Sequence, residues 1–145
     1  MDIWAKEKRS DIMSRIRSRG NKRTELRLIE ILRQYKITGW KRSQNVFGKP
    51  DFVFWKERVA VFVDGCFWHR CPKCYRAPST NQAFWNSKMA RNVARDREVL
   101  NVLKRGRWVV LRIWEHQLVH AGRVAWRINH ALHKGFKRLE TGKKT

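Results

Sequence analysis

Acidic residues are scarce in this sequence: 12 Asp or Glu stand against 34 Lys or Arg in 145 residues, for a formal net charge of +22. Long hydrophobic runs are missing too. The longest, such as Val59–Val63 and Trp108–Leu111, fall well short of the ~18 residues that a membrane span needs. Near the start, Asp2–Glu7 mixes charges and no apolar run follows, which is not the pattern of a secretory signal. Cysteine is limited to three residues, all between positions 66 and 74. An odd, clustered set argues against a disulfide framework and for a reduced, intracellular chain with grouped thiols. No internal repeat is visible.

What is present makes a folded domain. With 42% hydrophobic and 12% aromatic residues, the chain does not have the composition of a basic disordered tail. Eight Trp and seven Phe supply bulk for one core, and the length fits one domain. A fold this basic repels itself unless it meets a polyanion, of which nucleic acid is the common one. The charge is unevenly placed. Basic residues number 14 in residues 1–49, 5 in 50–78 and 15 in 79–145, against 5, 3 and 4 acidic ones. A nearly neutral centre between basic arms suits an enzyme on nucleic acid better than a coating protein. Charge alone does not decide this, because ribosomal and architectural proteins are as basic.

The pattern along the chain is that of alternating helices and strands. Residues 9–19 put Ile12, Met13 and Ile16 on one side of a short helix that Gly20 breaks. Asn21 can cap a second helix, in which Leu26, Ile29, Leu32 and Arg33 follow helical spacing and Gly39 marks the end. After the turn Gly48-Lys49-Pro50, the runs Asp51–Trp55 and Val59–Val63 flank a polar tripeptide and read as a hairpin. Residues 65–80, with Gly, two Pro and the Cys cluster, read as a loop. A long helix follows from about Phe84 to Lys104, then a mostly apolar strand at Trp108–Trp114. A final helix is expected at Leu118–Leu132, with Leu118, Val124 and Ile128 as anchors and a frayed end at 143–145. The expectation is an α/β fold: a mixed sheet flanked by helices.

Four constellations carry chemistry. Cys66, Cys71 and Cys74, three thiols within nine residues, either bind nothing or, as their clustering favours, hold a structural zinc, which needs a fourth N or S donor. His116, just past the last strand, and His69, inside the loop, are both candidates. Pro50-Asp51 places a carboxylate at a strand start, beside the strand that ends in Val63 and Asp64. Mg²⁺-dependent phosphodiesterases hold their metal this way, although Asp after Pro is also a common turn residue. On the long helix, Trp85, Met89, Asn92, Asp96, Val99 and Leu103 share one face. Asn92 and Asp96 interrupt that apolar seam, as site residues or as groups turned to solvent, with Asp96 paired to Arg95 or Arg97. His69, directly after Phe67-Trp68, fits a general base or a zinc ligand equally well. The two aromatics either pack on the core or wedge between base pairs.

The ordered set Arg9-Ser10…Met13, Thr24-Glu25, Pro50-Asp51-Phe52, Asp64-Gly65-Cys66-Phe67-Trp68-His69, Phe84-Trp85, Asn92 to Arg97 and Trp114-Glu115 resembles the very-short-patch repair (Vsr) endonucleases. These are bacterial mismatch nickases with a restriction-endonuclease-like, PD-(D/E)XK-type core. The resemblance spans about residues 4–120, and its Gly-Cys-Phe-Trp-His run is the specific part.

The resemblance implies roles. Asp51, with the backbone carbonyl of Val63, would bind Mg²⁺ as one or two ions. His69 would be the general base, and Asp96, Asn92 and Glu25 would complete the catalytic network. Cys66, Cys71, Cys74 and His116 would hold one structural zinc. Phe67 and Trp68 would insert beside a mismatch from one groove, with Met13 closing from the other. The implied substrate is double-stranded DNA with a T:G mismatch, nicked on one strand by a monomer in the bacterial cytoplasm, at the nucleoid. A functional link to a cytosine-5 methyltransferase goes with it, and no membrane.

The same reading divides the chain into a basic helical arm at 1–20, a nuclease core at 21–134 and a basic tail at 135–145. Val63-Asp64-Gly65 lacks the Lys usual in the wider nuclease superfamily. The Vsr family lacks it as well, which puts more weight on His69 and leaves the role of Asp64 open. The alternatives are a non-catalytic zinc-containing DNA-binding module and a related nuclease acting on matched DNA.

Overall fold

The computed structural model describes residues 23–66 and 71–142. The expected helix at 9–19, the Asn21 cap and the 143–145 terminus lie outside the described residues. So do four expected site residues: Met13, Phe67, Trp68 and His69.

Helix α1 covers 23–34 and ends where Lys36 takes a left-handed conformation, with φ 56. Its buried side is Leu28, Ile29, Ile31 and Leu32. Leu26, expected on that side, is 47% exposed; the inward face starts at Thr24 and Leu28 instead.

A short strand β1 (Trp40–Arg42) then pairs antiparallel with β2 (Phe52–Phe54). As the runs of β-branched and aromatic residues predict, β2 and β3 (Val59–Asp64) form an antiparallel hairpin, with Phe52 opposite Val61. Helix α2 (Gln82–Arg105) carries the chain across to β4 (Val109–Trp114), which runs parallel to β3. The order among the described strands is β1-β2-β3-β4.

Side chains alternate across a strand, so each strand feeds two layers. Phe52, Phe54, Val59, Val61, Val63, Val109 and Ile113 pack against α1 and the last helix. Val53, Ala60 and Phe62 face the other way, against Val99 and Leu103 of α2 and the ring of Trp108. All six residues of β3 are buried, as befits a strand covered on both faces.

After β4 a 3-10 turn (Glu115–Val119) buries Leu118 and leads into α3 (Ala121–Gly142). This helix starts later than expected and runs well past Leu132, through most of the stretch read as a tail. Gly135 lets it approach the hairpin: a Cβ there would collide with the Glu57 carbonyl oxygen and stand 3.2 Å from Cγ2 of Val59.

Candidate active site and metal centre

The hairpin and α1 bring together residues distant in sequence. Asp51 sits one residue ahead of β2, and its Oδ2 accepts a hydrogen bond from the backbone N–H of Val63 at 2.7 Å. The Glu25 carboxyl, from the first described turn of α1, meets Asp51 directly. Glu25 is also ion-paired with Arg42 of β1. A pocket of about 400 Å³ opens here, lined by Glu25, Pro50 and Asp51 with Ser43, Gln44, Asn45 and Lys49.

The Asp51 carboxyl is pushed up from 3.8 to about 7. Burial is the main cause; the hydrogen bond and negative charge of Glu25 and the charge of Asp64 add to it, and the Val63 N–H acts against them. A buried carboxyl crowded by two others is a place where a cation relieves repulsion. Its donors are hard oxygens, the type that suits Mg²⁺. Asp51, with Glu25 and the adjoining Val63 backbone, therefore fits a divalent ion.

Asp64 ends β3 and is buried. Nη1 of Arg112, on β4, donates to its Oδ2 at 2.8 Å and stands 3.8 Å from Oδ1 of Asp96 on α2. Asp96 therefore meets a cation on the neighbouring strand β4, where one of the two sequence readings had paired it with Arg95 or Arg97. The seam on α2 is as expected: Trp85, Met89, Val99 and Leu103 are buried, with Asn92 and Asp96 half-buried between them. Arg112 and Arg42 are the site residues that sequence reasoning missed. Arg112 had a signal, as the single charge in the run Val-Val-Leu-Arg-Ile-Trp.

The three cysteines close on His116. Its Nδ1 lies 3.4 Å from Sγ of Cys66, 3.6 Å from that of Cys71 and 3.3 Å from that of Cys74. All four donor atoms lie within 4.8 Å of one another. A tetrahedral zinc with Zn–S and Zn–N bonds of ordinary length has S···N edges of ~3.6 Å. The cluster fits such an ion, and His116 is the histidine that meets the thiols among the described residues.

Burial pushes the Cys66 thiol up to about 12, with the neighbouring thiols of Cys74 and Cys71 adding to the rise against a backbone hydrogen bond from His116. Cys71 is lowered instead. Burial opposes this, but backbone N–H groups of Cys74 and Lys73 bond its sulfur, and the Cys66 and Cys74 thiols add to them. N–H groups aimed at sulfur favour the thiolate that a metal requires. Two backbone bonds hold the loop in place, Cys71 N–H to the Cys66 carbonyl at 2.9 Å and Tyr75 N–H to the Cys71 carbonyl at 3.0 Å.

Comparison with known proteins finds similarity to DNA endonucleases. A family model described as DNA mismatch endonuclease Vsr matches residues 1–76. The chain is 41% identical over 121 residues to the type II nicking enzyme V.NmeDIP of Neisseria meningitidis serogroup C, covering 82% of this chain and 81% of that protein. It is 35% identical over 116 residues to the DNA mismatch endonuclease Vsr of Escherichia coli strain K12, covering 79% and 73%. Similarity to the type II nicking enzyme V.NaeI of Lentzea aerocolonigenes is higher, 55%, but over 69 residues that make up 48% of this chain and 42% of that one.

Proposed function

The chain belongs to the Vsr family of DNA mismatch endonucleases, and on that premise we propose that it nicks one strand of duplex DNA beside a T:G mismatch, using Mg²⁺ on a restriction-endonuclease-like, PD-(D/E)XK-type core. The observation that carries this reading is the half-buried Asp51 carboxylate, held by the Val63 N–H at 2.7 Å in a pocket it shares with Glu25.

Asp51 and the Val63 carbonyl would hold the metal, one or two ions in all, with Glu25 beside Asp51. The chemistry such an ion would supply is positive charge at the scissile phosphate, which otherwise resists an anionic nucleophile. His69 takes the proton from the attacking water, Asp96 orients the imidazole, and Asn92 makes a polar contact at the site. These roles rest on the family resemblance together with the half-buried positions of Asn92 and Asp96.

Cys66, Cys71, Cys74 and His116 hold one structural zinc. Phe67, Trp68 and His69 fall between the first two of these ligands, so the metal would fix the segment that carries both the wedge and the base. Met13, in the basic arm at 1–20, closes from the opposite groove. A mispaired thymine is cheaper to unstack than a paired one, which gives the wedges a physical route to selectivity.

The substrate class also points upstream. Deamination of 5-methylcytosine leaves thymine opposite guanine, which supports a functional link to a cytosine-5 methyltransferase. The enzyme acts as a monomer on DNA in the bacterial cytoplasm, at the nucleoid. No helix among the described residues is long and apolar enough to cross a membrane. The test is strand nicking of duplexes bearing each mismatch in randomised flanks, with Mg²⁺ and with EDTA. Mg²⁺-dependent nicking confined to T:G supports the reading; equal cleavage of matched duplex, or none at all, overturns it.

A further inference from the structure

Strand β4 is apolar except for Arg112, and the strand register sets this side chain beside Phe62 on the α2 side of the sheet. Its guanidinium lies over the Phe62 ring, 4.4 Å from the centroid. From there one fork serves two elements. Nη1 reaches Asp64 at the end of β3 and faces the Asp96 carboxylate, while Nη2 donates to the Asp96 backbone carbonyl at 3.3 Å. The base of the fork is braced from behind. Nη2 of Arg127, on α3, donates to the Arg112 carbonyl at 2.9 Å, and Nη1 of Arg127 donates to Oε1 of Gln117 at 3.1 Å.

Asp64 is only 3% exposed. A carboxylate this buried needs a cation or a proton, and it stands close enough to Asp51 to raise it. Without Arg112, Asp64 would compete with Asp51 for a divalent ion, and Asp96 would lose the contact that fixes its backbone and carboxylate together. We infer that Arg112 is a positioning residue: it occupies Asp64 and Asp96 as counter-ions and so reserves Asp51 for the metal. This rests on the nuclease reading of the site. Lysine is no substitute here, because an ammonium is a point charge and cannot serve both acceptors with the geometry of a planar fork.

The test compares wild type, Arg112→Lys, Arg112→Met and Arg112→Met/Asp64→Asn. The readouts are melting temperature, duplex Kd, and single-turnover nicking rate at saturating T:G duplex and saturating Mg²⁺. Arg112→Met is expected to slow nicking by ~30-fold or more while duplex Kd stays within about threefold, a loss in rate and not in binding. The double variant removes the carboxylate charge at position 64 along with the Arg112 charge, so its melting temperature recovers; its rate stays low because Asp96 still lacks the Arg112 guanidinium.

Arg112→Lys keeps the charge and the fold but nicks about fivefold or more slowly than wild type. A double variant that melts and nicks like wild type would reduce Arg112 to a counter-ion of the fold and overturn the inference. If the double variant melts low, Arg112→Lys decides: wild-type nicking by it overturns the claim. A wild-type protein that never nicks mismatched duplex overturns the nuclease reading itself, and the inference with it.

Discussion

Val63 and Asp51 are joined by a 2.7 Å hydrogen bond from the Val63 backbone N–H to the Asp51 carboxylate. The bond ties the entry to β2 to the far end of β3, across the width of the hairpin. It pins one oxygen of the carboxylate, so the site is largely shaped before any ion arrives, and placing a pre-held ligand costs little ordering on binding.

The pH dependence follows from the raised Asp51. Its folded value of about 7 lies above the ordinary 3.8, so the fold favours the protonated form. The resulting stabilisation is fully present below the ordinary value, is lost as pH rises through about 7, and is gone above it. Mg²⁺ competes with that proton. The rise in melting temperature on adding Mg²⁺ should therefore grow between about pH 6 and pH 8, and Asp51→Asn should abolish this trend. Thermal scans across that range check it; a Mg²⁺ effect independent of pH would place the ion elsewhere.

Zinc removal should act on stability first. The purified protein is expected to carry about one zinc per chain, measured by elemental mass spectrometry, and chelation should lower the melting temperature by ~10 °C or more. Cys71→Ser should be the most damaging ligand change, because Cys71 is the buried member of the set. An unchanged melting curve after complete chelation would refute a structural metal.

Two glycines on α3 separate close packing from helix propensity. Gly135→Ala drives a methyl into the Glu57 carbonyl, a backbone atom that cannot swing away, and should cost about 1–3 kcal/mol by urea denaturation. Gly122→Ala meets only the Tyr35 hydroxyl, at 3.3 Å, the far end of an exposed side chain. There the helical preference for Ala over Gly, about 1 kcal/mol in a helix interior and less in this first turn, should win, and the variant should be equal or more stable. Both should nick normally at a temperature where they remain folded.

The local part of this architecture is written in the sequence. The hairpin showed in its β-branched and aromatic runs, the α2 seam in its helical spacing, and the candidate metal site in three clustered thiols. The non-local part is less legible. Strand β1 has two charged residues among three, so no alternation announces it; its pairing with β2 makes it a strand. On α1, Leu26 shares the composition of its buried neighbours and differs only in the direction it faces. Glu25 is named by the family resemblance alone and Arg112 by nothing, until the fold sets one against Asp51 and the other between Asp64 and Asp96. Ion pairs formed between separate elements leave no spacing in the chain.

The central claim is that the chemistry sits at the near-neutral centre around Asp51 and that the basic flanks serve to hold DNA. The most direct test measures affinity and nicking of one T:G duplex by wild type and Asp51→Asn, side by side, in Mg²⁺. The account predicts that Asp51→Asn binds within about threefold of wild type, melts no lower at pH 8, and nicks ~1,000-fold more slowly or not at all. Nicking at the wild-type rate by Asp51→Asn would contradict it.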